Sequence, residues 1–342
     1  MSFNKEIYNN KTILVTGGTG SIGMEIVKLL LSCNPRSVRV FSRDESKQFF
    51  MQEELKNYEN IRYFVGDIRD KQRLLFALDG VDYVFHAAAL KHVPSCEYNP
   101  FEAVKTNVLG VQNLIEASLE KRIKKVIVIS TDKVVNPINT MGTTKLLSEK
   151  LVAAADYYKG ANKTVFACVR FGNVMGSRGS VIPLFKEQIT SGEPITLTDK
   201  KMTRFIMSIS QASNLVLKAA EYAIGGELFI LKMPTIRIID LAEVLIEDYE
   251  SATGQKGPGI QEVGIRPGEK IFEELMTLEE SKRALCNDEM FIIPSIVNQM
   301  KDPCQYYGFR IAKDGNYSSE NAPRLNKKEL LKLLQTEHLT FD

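Results

Sequence analysis

Thr12-Ile13-Leu14-Val15-Thr16-Gly17-Gly18-Thr19-Gly20-Ser21-Ile22-Gly23 decides the fold of this chain. The first five residues carry no charge and are mostly β-branched, so they read as a strand buried on both faces. Glycines then fall at 17, 20 and 23, and a helical apolar pattern begins at Ile22. Glycine permits the tight turn, lets backbone meet a pyrophosphate without a side chain between, and allows close helix–strand contact. A helix that opens there turns unpaired backbone N–H groups toward an anion. Turns need glycine anyway, so the pattern alone is weak. In this strand–turn–helix setting it reads as a dinucleotide site formed by Gly17, Thr19, Gly20, Ser21, Ile22 and Gly23.

Outward from that turn, strand-like runs recur at 38–42, 61–66, 82–87, 125–130 and 165–171. Helical patterns lie between them, for example at 22–33, 71–78, 101–119 and 141–158. Alternation of this kind, with strands apolar throughout, argues for an α/β fold: a Rossmann-type doubly wound parallel sheet covered on both faces. Beyond Phe171 the alternation breaks down. Residues 172–180 read as a loop, 181–190 as a helix, 194–197 as extended chain, 208–223 as a capped helix and 227–231 as one more strand. The cofactor domain is therefore expected to span 1–174 plus about 201–233. A smaller mixed substrate lobe is expected from about 175–200 plus 234–342, with 325–334 as a solvated helix.

The 342 residues are 44% apolar and 25% charged, with a net charge of +2. That composition is ordinary for a soluble chain and gives no electrostatic reason to bind nucleic acid or membrane surfaces. Residues 2–10 are polar, and no run approaches the roughly 20 apolar residues that span a bilayer. Cys33, Cys96, Cys168, Cys286 and Cys304 form no C-x-x-C pair and are expected as reduced, mostly buried thiols in a cytoplasmic protein. No metal site is read from the sequence.

Ser42-Arg43-Asp44 stands where the cofactor ribose is expected, with Lys47 one turn on. Arg43 and Lys47 suit a 2′-phosphate, and Asp44 suits free hydroxyls. The reading favours NADP, with NAD as the alternative, because Arg43 comes first and Ser42 adds a small donor. Asp67 and Ile68 after the third strand are expected near adenine, or else as an ordinary strand-end turn. Ala87, Ala88 and Ala89 are small residues on which a cofactor lies flat.

The motif set resembles one family. Thr-Gly-Gly-Thr-Gly-Ser-Ile-Gly (16–23), Phe-Ser-Arg-Asp-Glu (41–45), Gly-Asp-Ile-Arg-Asp (66–70) and His-Ala-Ala-Ala-Leu-Lys-His-Val-Pro (86–94) form its first half. Ser-Thr-Asp-Lys (130–133), Asn-Val-Met-Gly-Ser-Arg-Gly-Ser-Val-Ile-Pro-Leu-Phe (173–185), Met-Thr-Arg-Phe (202–205) and Arg-Pro-Gly-Glu-Lys (266–270) form its second. Together they resemble the extended short-chain dehydrogenases that act as UDP-N-acetylglucosamine 4,6-dehydratases, over residues 11–280. Relatives of this fold often carry Tyr-x-x-x-Lys at the start of the helix after the fifth strand, with the Tyr as acid/base. Here Met141 takes the Tyr position and Lys145 keeps the Lys, as in one branch of the family. A thioether carries no proton at neutral pH, so the chemistry has moved or been lost.

The resemblance implies a lyase that oxidises C4, removes the C5 proton, expels the C6 hydroxyl as water and returns hydride to C6. Lys133 is then the C5 base and must be deprotonated by burial or a cationic neighbour. Asp132 is the proton donor to the C6 oxygen and the favoured acceptor for the C4 proton; its pKa must be raised. Both reach one sugar only if the strand has ended before them, which Asn136-Pro137 favours. Thr131, or Ser130, is expected on the C4 oxygen, Lys145 on the nicotinamide ribose, and Met141 as packing. Asn107 is read as a sheet-and-water holder or as a plain helix polar residue. Arg204 and Arg266 are expected on the diphosphate, and Asn173 and Val181 on the diphosphate and sugar side. Glu269 is expected on ribose, the 194–198 stretch with Leu197 on uracil, and Lys91 on the acetamido side or the sugar hydroxyls; His92, which could reach the same groups, reads as structural. The partners implied are UDP-N-acetylglucosamine and further copies of the chain, since the helices at 101–119 and 141–158 have faces suited to a dimer or larger assembly. Two rival readings remain: a nucleotide-sugar epimerase or ketoreductase of the same fold, and a non-catalytic cofactor sensor.

Overall fold

The computed structural model describes residues 3–177, 179–265, 268–295 and 306–341. The strands, in chain order, are β1 (Thr12–Thr16), β2 (Ser37–Ser42), β3 (Ile61–Val65), β4 (Tyr83–His86), β5 (Lys125–Ile129), β6 (Val165–Arg170), β7 (Asn173–Val174), β8 (Ile195–Leu197) and β9 (Thr203–Met207). There follow β10 (Leu228–Leu231), β11 (Thr235–Arg237), β12 (Ile260–Glu262), β13 (Glu274–Met276), β14 (Leu285–Cys286), β15 (Met290–Ile293), β16 (Arg310–Ile311) and β17 (Tyr317–Ser318). The large sheet runs β16-β14-β15-β10-β6-β5-β4-β1-β2-β3. Strands β1 to β6 and β10 are parallel, and β15, β14 and β16 extend the edge antiparallel.

Alternation along the strands explains why both faces are buried. On β1, Ile13 and Val15 face one apolar cluster with Phe85 and Ile127. Leu14 faces the other with Val84, Val126 and Phe166. Helices Ser21–Leu31 and Ile209–Tyr222 pack together over the first face. Helices Gly110–Glu120 and Thr140–Tyr158 belong to the second. The chain reverses direction of travel across the sheet between β1 and β4, so a crevice opens beyond the carboxyl ends of those strands.

The second lobe has its own core. Ile182, Phe185, Leu197, Leu241 and Leu245 pack with Leu330 and Leu334 of the tail helix Lys327–Thr336. That helix, expected as a solvated one, buries one leucine face while Lys328 and Lys332 stay exposed. Two boundaries differ from the sequence reading. β14 to β16, expected within the lobe, join the main sheet, because the apolar run Met290–Ile293 pairs with β10. β9, not read as a strand, is buried at all five positions and pairs with β7 and β11. The helix expected at 101–119 contains a π turn, Val104–Leu109, around Asn107.

Candidate active site

The glycine turn is shaped by backbone contact. Gly17 has φ +65°, and a Cβ there would lie 2.7 Å from the backbone nitrogen of Ala88. A Cβ at Gly23 would lie 2.3 Å from the Gly17 carbonyl oxygen. Gly20 caps helix Ser21–Leu31 without a side-chain hydrogen bond, so the amide end of the helix faces the crevice. The crevice is lined by Gly17, Thr19, Gly20, Ser42, Arg43, Lys47, Asp67, Ile68 and Ala87 to Ala89. Phe41, Leu90 and Thr106, not read as site residues from the sequence, line it too.

The corner from Ser42 to Lys47 is held by its own hydrogen bonds. Ser42 Oγ and Thr19 Oγ1 hydrogen-bond at 2.9 Å and are buried. Asp44 accepts from the Lys47 amide at 2.9 Å and caps the helix Glu45–Glu54, and Lys47 Nζ also pairs with it. Arg43 is 59% exposed at its side chain, with NH1 3.8 Å from Asp67. Asp67 accepts from the Arg69 amide at 2.9 Å and its guanidinium at 2.7 Å, the strand-end turn that was the alternative for it. Burial alone would raise the Asp67 carboxyl, but Arg69 and Arg43 hold it below the ordinary range.

The second half of the site forms where β5 ends. After Ile129 the chain leaves the sheet, and Asp132–Val134 make a 3-10 turn. That turn removes the opposite-face constraint of a strand, so Asp132 and Lys133 converge. Thr131 Oγ1 donates to Asp132 Oδ1 at 2.6 Å. Lys133 Nζ lies 3.2 Å from Asp132 Oδ1, 3.0 Å from Glu273 Oε1 and 3.4 Å from Asn173 Oδ1. Lys133 keeps 29% of its side chain exposed, against 1% for Asp132 and 6% for Glu273, so Lys133 is the least buried of the three.

Glu273 was not foreseen. It lies three residues beyond the Arg-Pro-Gly-Glu-Lys run, and its signal is an acid set among Ile271, Phe272 and Leu275. Its Oε1 also pairs with Arg204 Nε at 3.3 Å. Its Oε2 is buried and has no N–H or O–H donor among the described residues. Asp132 and Glu273 are close enough to hydrogen-bond to each other. Burial first, and the Glu273 carboxylate second, push the Asp132 carboxyl up to about 7. Burial acts on Glu273 in the same sense, but Lys133 and Arg204 outweigh it and bring that carboxyl down to about 2. Glu273 touches two cations and Asp132 only one, so the proton resides on Asp132.

Three expectations change. A deprotonated Lys133 was expected, with burial driving it; burial does act that way, but Asp132 and Glu273 outweigh it and hold the ammonium above its ordinary pKa. Arg204 was expected on a diphosphate; instead it donates to the carbonyls of Thr203, Ile271 and Lys270 at 2.8, 3.1 and 2.9 Å and anchors the 270–273 segment. Leu197, expected against uracil, is fully buried in the core of the second lobe. Arg266 lies outside the described residues.

The remaining residues fall in place around this cluster. Lys145 is buried and donates to the Ile129 carbonyl at 2.6 Å, and desolvation lowers its pKa. Met141 is 3% exposed and packs with Cys96, Ala103, Leu90 and Val93. Asn107 staples Leu90 by two hydrogen bonds, at 2.9 and 3.0 Å, donates to Thr144 Oγ1 at 3.1 Å and accepts from Ser148 Oγ at its carbonyl, tying the segment after β4 to helix Thr140–Tyr158. Ser130 Oγ is buried with no partner among the described residues, whereas Thr131 is engaged by Asp132. Glu269 Oε2 is likewise buried and unpaired, and Lys270 Nζ donates to Val135 O at 2.6 Å. Val181 opens helix Val181–Thr190, half-buried. Lys91 and His92 are exposed after β4, and a Cβ at Gly179 would lie 2.6 Å from the His92 ring. Cys33, Cys96, Cys168 and Cys286 are free and buried as expected; Cys304 lies outside the described residues. No described helix is long and apolar enough to cross a membrane.

This geometry can do two things chemically. A bare helix amide end over a glycine turn suits a pyrophosphate. A buried carboxyl pair beside a partly exposed lysine can hold and move protons. Comparison with known proteins agrees in kind. The family model described as "Polysaccharide biosynthesis protein" matches residues 13–295. A protein named an uncharacterized membrane protein, from Methanocaldococcus jannaschii, is 54% identical over 96% of both chains. A UDP-N-acetylglucosamine 4,6-dehydratase (inverting) from Campylobacter jejuni is 42% identical over 96% of this chain and 98% of its own. A UDP-glucose 4-epimerase from Rickettsia typhi is 41% identical over 96% and 97%. The solved structure of Pen from Bacillus thuringiensis superposes with TM-score 0.91 at 48% identity, covering 97% of this chain and 99% of that one. With its doubly wound sheet, its glycine crevice and its match over residues 13–295, the chain belongs to the polysaccharide biosynthesis protein family, within the extended short-chain dehydrogenases, among relatives named nucleotide-sugar dehydratases and epimerases.

Proposed function

We propose that this protein is a UDP-N-acetylglucosamine 4,6-dehydratase working with a tightly held nicotinamide cofactor, NADP in preference to NAD. The observation that carries the reading is Asp132 and Lys133, joined in one turn beyond β5 while Met141 occupies the place of a phenol. A bound nicotinamide supplies hydride acceptance from C4 and hydride return to C6. The chain supplies the rest. Gly17, Gly20 and the helix amides hold the pyrophosphate; Arg43 and Ser42 meet the 2′-phosphate; Lys145 holds the nicotinamide ribose. Ser130, the unpaired hydroxyl, or Thr131 holds the C4 oxygen. Lys133 exchanges the C5 proton, and Asp132, its carboxyl raised to about 7, takes the C4 proton and then gives it to the departing C6 oxygen. Asn173, Val181 and Glu269 lie toward the nucleotide-sugar. Exposed Phe101, Leu109, Leu147 and Tyr158 on the two outer helices support association with a second copy, which sedimentation would measure.

A second reading has a specific basis, the close relatives named UDP-glucose 4-epimerase. An epimerase needs a C4 acid/base, which Met141 cannot be. Incubation with UDP-N-acetylglucosamine followed by proton NMR separates the two. A 6-methyl, 4-keto (or hydrated) product supports the dehydratase; a C4 epimer alone overturns it. Asp132→Asn tests the C4 assignment: full-rate hydride transfer to the cofactor in that variant removes Asp132 as the C4 proton acceptor.

A further inference from the structure

Gly176 has φ +65°, and a Cβ there would lie 3.0 Å from Leu339 Cδ2. This glycine stands three residues beyond Asn173, whose Oδ1 is 3.4 Å from Lys133 Nζ, and five before Val181, which opens helix Val181–Thr190. β7, just before it, is two residues long and is held to β9 by a short ladder that ends with the Met175 amide donating to Met207 O at 2.9 Å. A short ladder followed by glycines at positive φ, Gly176 and Gly179, has little order of its own, because glycine backbone loses the most entropy on being fixed. Restraint must come from other segments. The His92 ring meets Gly179, and Leu339 meets Gly176. Leu339 is itself anchored, its amide donating to Leu334 O at 2.9 Å at the end of the tail helix. Two residues on, the Phe341 amide donates to Asp248 Oδ2 at 2.7 Å and its ring takes Lys186 Nζ over its face at 4.6 Å. Lys186 also donates to Thr340 O at 2.7 Å and belongs to the helix that Val181 opens. Residues 339–341 therefore hold both the turn at Gly176 and helix Val181–Thr190.

We propose that Leu339 and Phe341 brace the nucleotide-sugar side of the crevice, holding the turn at Gly176 and helix Val181–Thr190 at the spacing from which Asn173 and Val181 meet the substrate. This rests on the reading above that those two residues lie toward the nucleotide-sugar. Leu339 and Phe341 touch no substrate in this scheme and are positioning residues. The brace is made of apolar contact, a cation over a ring and backbone hydrogen bonds, and it moves no proton or hydride. It therefore acts on binding and leaves the chemical steps to the groups beyond β5. Without the Leu339 side chain the bare face of Gly176 has free space beside it, and the turn visits conformations that do not fit the sugar nucleotide. Affinity then falls in proportion to the fraction of molecules that keep the competent turn.

The test uses Leu339→Ala, Phe341→Ala and the conservative Leu339→Met in the full-length holoenzyme. Leu114→Ala, in a different apolar cluster, is the control for general loss of stability. Calorimetry with UDP-N-acetylglucosamine reads affinity without turnover. Hydrogen exchange of the Met175 amide, at the end of the β7–β9 ladder, reads local order without any ligand. Leu339→Ala should weaken binding and raise KM about tenfold, as a fall of the competent fraction to about one-tenth does, with kcat within about twofold. Its Met175 amide should exchange about tenfold faster. Phe341→Ala should move both readouts in the same direction, and Leu339→Met should restore most of each. Leu114→Ala should lower the urea midpoint and move neither. Unchanged affinity in Leu339→Ala and Phe341→Ala, an unmoved Met175 exchange, or equal shifts in Leu114→Ala overturns the proposal. If the wild type binds UDP-N-acetylglucosamine and makes no 4-keto product, the dehydratase reading fails, while the shift in affinity still decides the brace.

Discussion

A Cβ on Gly142 would lie 2.2 Å from the carbonyl oxygen of Lys133. The first turn of helix Thr140–Tyr158 therefore rests directly on the backbone of the Asp132–Val134 turn, and Asn139, which caps that helix through Gly142 N at 2.7 Å, also donates to Gly268 O at 3.0 Å. Helix, turn and the segment leading to Glu273 are one contact network. Gly142→Ala should force them apart, destabilising by about 1–3 kcal/mol as overpacking does and lowering kcat at least tenfold. Urea unfolding and turnover measured together check this; an unchanged kcat places the contact outside the mechanism.

Met141 acts through volume. Met141→Leu conserves volume, so stability should change by less than about 1.5 kcal/mol with turnover within a few-fold. Met141→Ala opens a cavity beside Cys96 and Ala103 and should destabilise by about 2–5 kcal/mol. A Leu variant without activity shows instead that the sulfur takes part.

Arg170 is 2% exposed at its side chain and makes paired contacts with Glu149, at 2.7 and 3.1 Å, and with Glu280, at 3.1 Å. Arg170→Met strands two acids and should lower stability by about 3–5 kcal/mol. The urea midpoint checks it. Restoring neutrality with Glu149→Gln and Glu280→Gln should recover part of the loss.

His86 is wholly buried, shares a 2.7 Å hydrogen bond with Thr16 Oγ1, and has its Nε2 unpaired among the described residues. Burial first, and nearby Lys145 second, bring its pKa down to about 3. The unfolded chain, with His near 6.5, binds the proton more readily, so stability falls as pH drops from about 6.5 toward 3. Asp132 titrates in the opposite sense, so the comparison must be with His86→Gln. The wild type should lose about 2 kcal/mol relative to that variant between pH 6.5 and pH 5. Equal slopes in urea unfolding at the two pH values would remove His86 from the account.

The proposed preference for NADP makes Arg43 the residue to test. Arg43→Ala should weaken NADP binding about tenfold, as loss of a charge-assisted contact does, and leave NAD nearly unchanged. Calorimetry on cofactor-stripped protein measures both. Equal loss for the two cofactors makes Arg43 a general surface charge.

Much of the molecule follows from local sequence. The buried run Thr12–Thr16 with glycines at 17, 20 and 23 dictates a strand, a turn and a helix amide end, because few other backbones accept that pattern. Alternating apolar runs dictate β1 to β6 and their helices for the same reason, and Asn136-Pro137 marks the loop that follows β5. The tertiary structure alone decided which charges meet. Glu273 stands 140 residues from Lys133, and Arg204 reaches Glu273 instead of facing the crevice. Spacing along the chain carries periodicity and turn chemistry, whereas the ionisation of a buried group depends on partners brought in by distant segments. That Asp132 and Lys133 would meet in a turn beyond β5 was therefore legible, and their protonation was not.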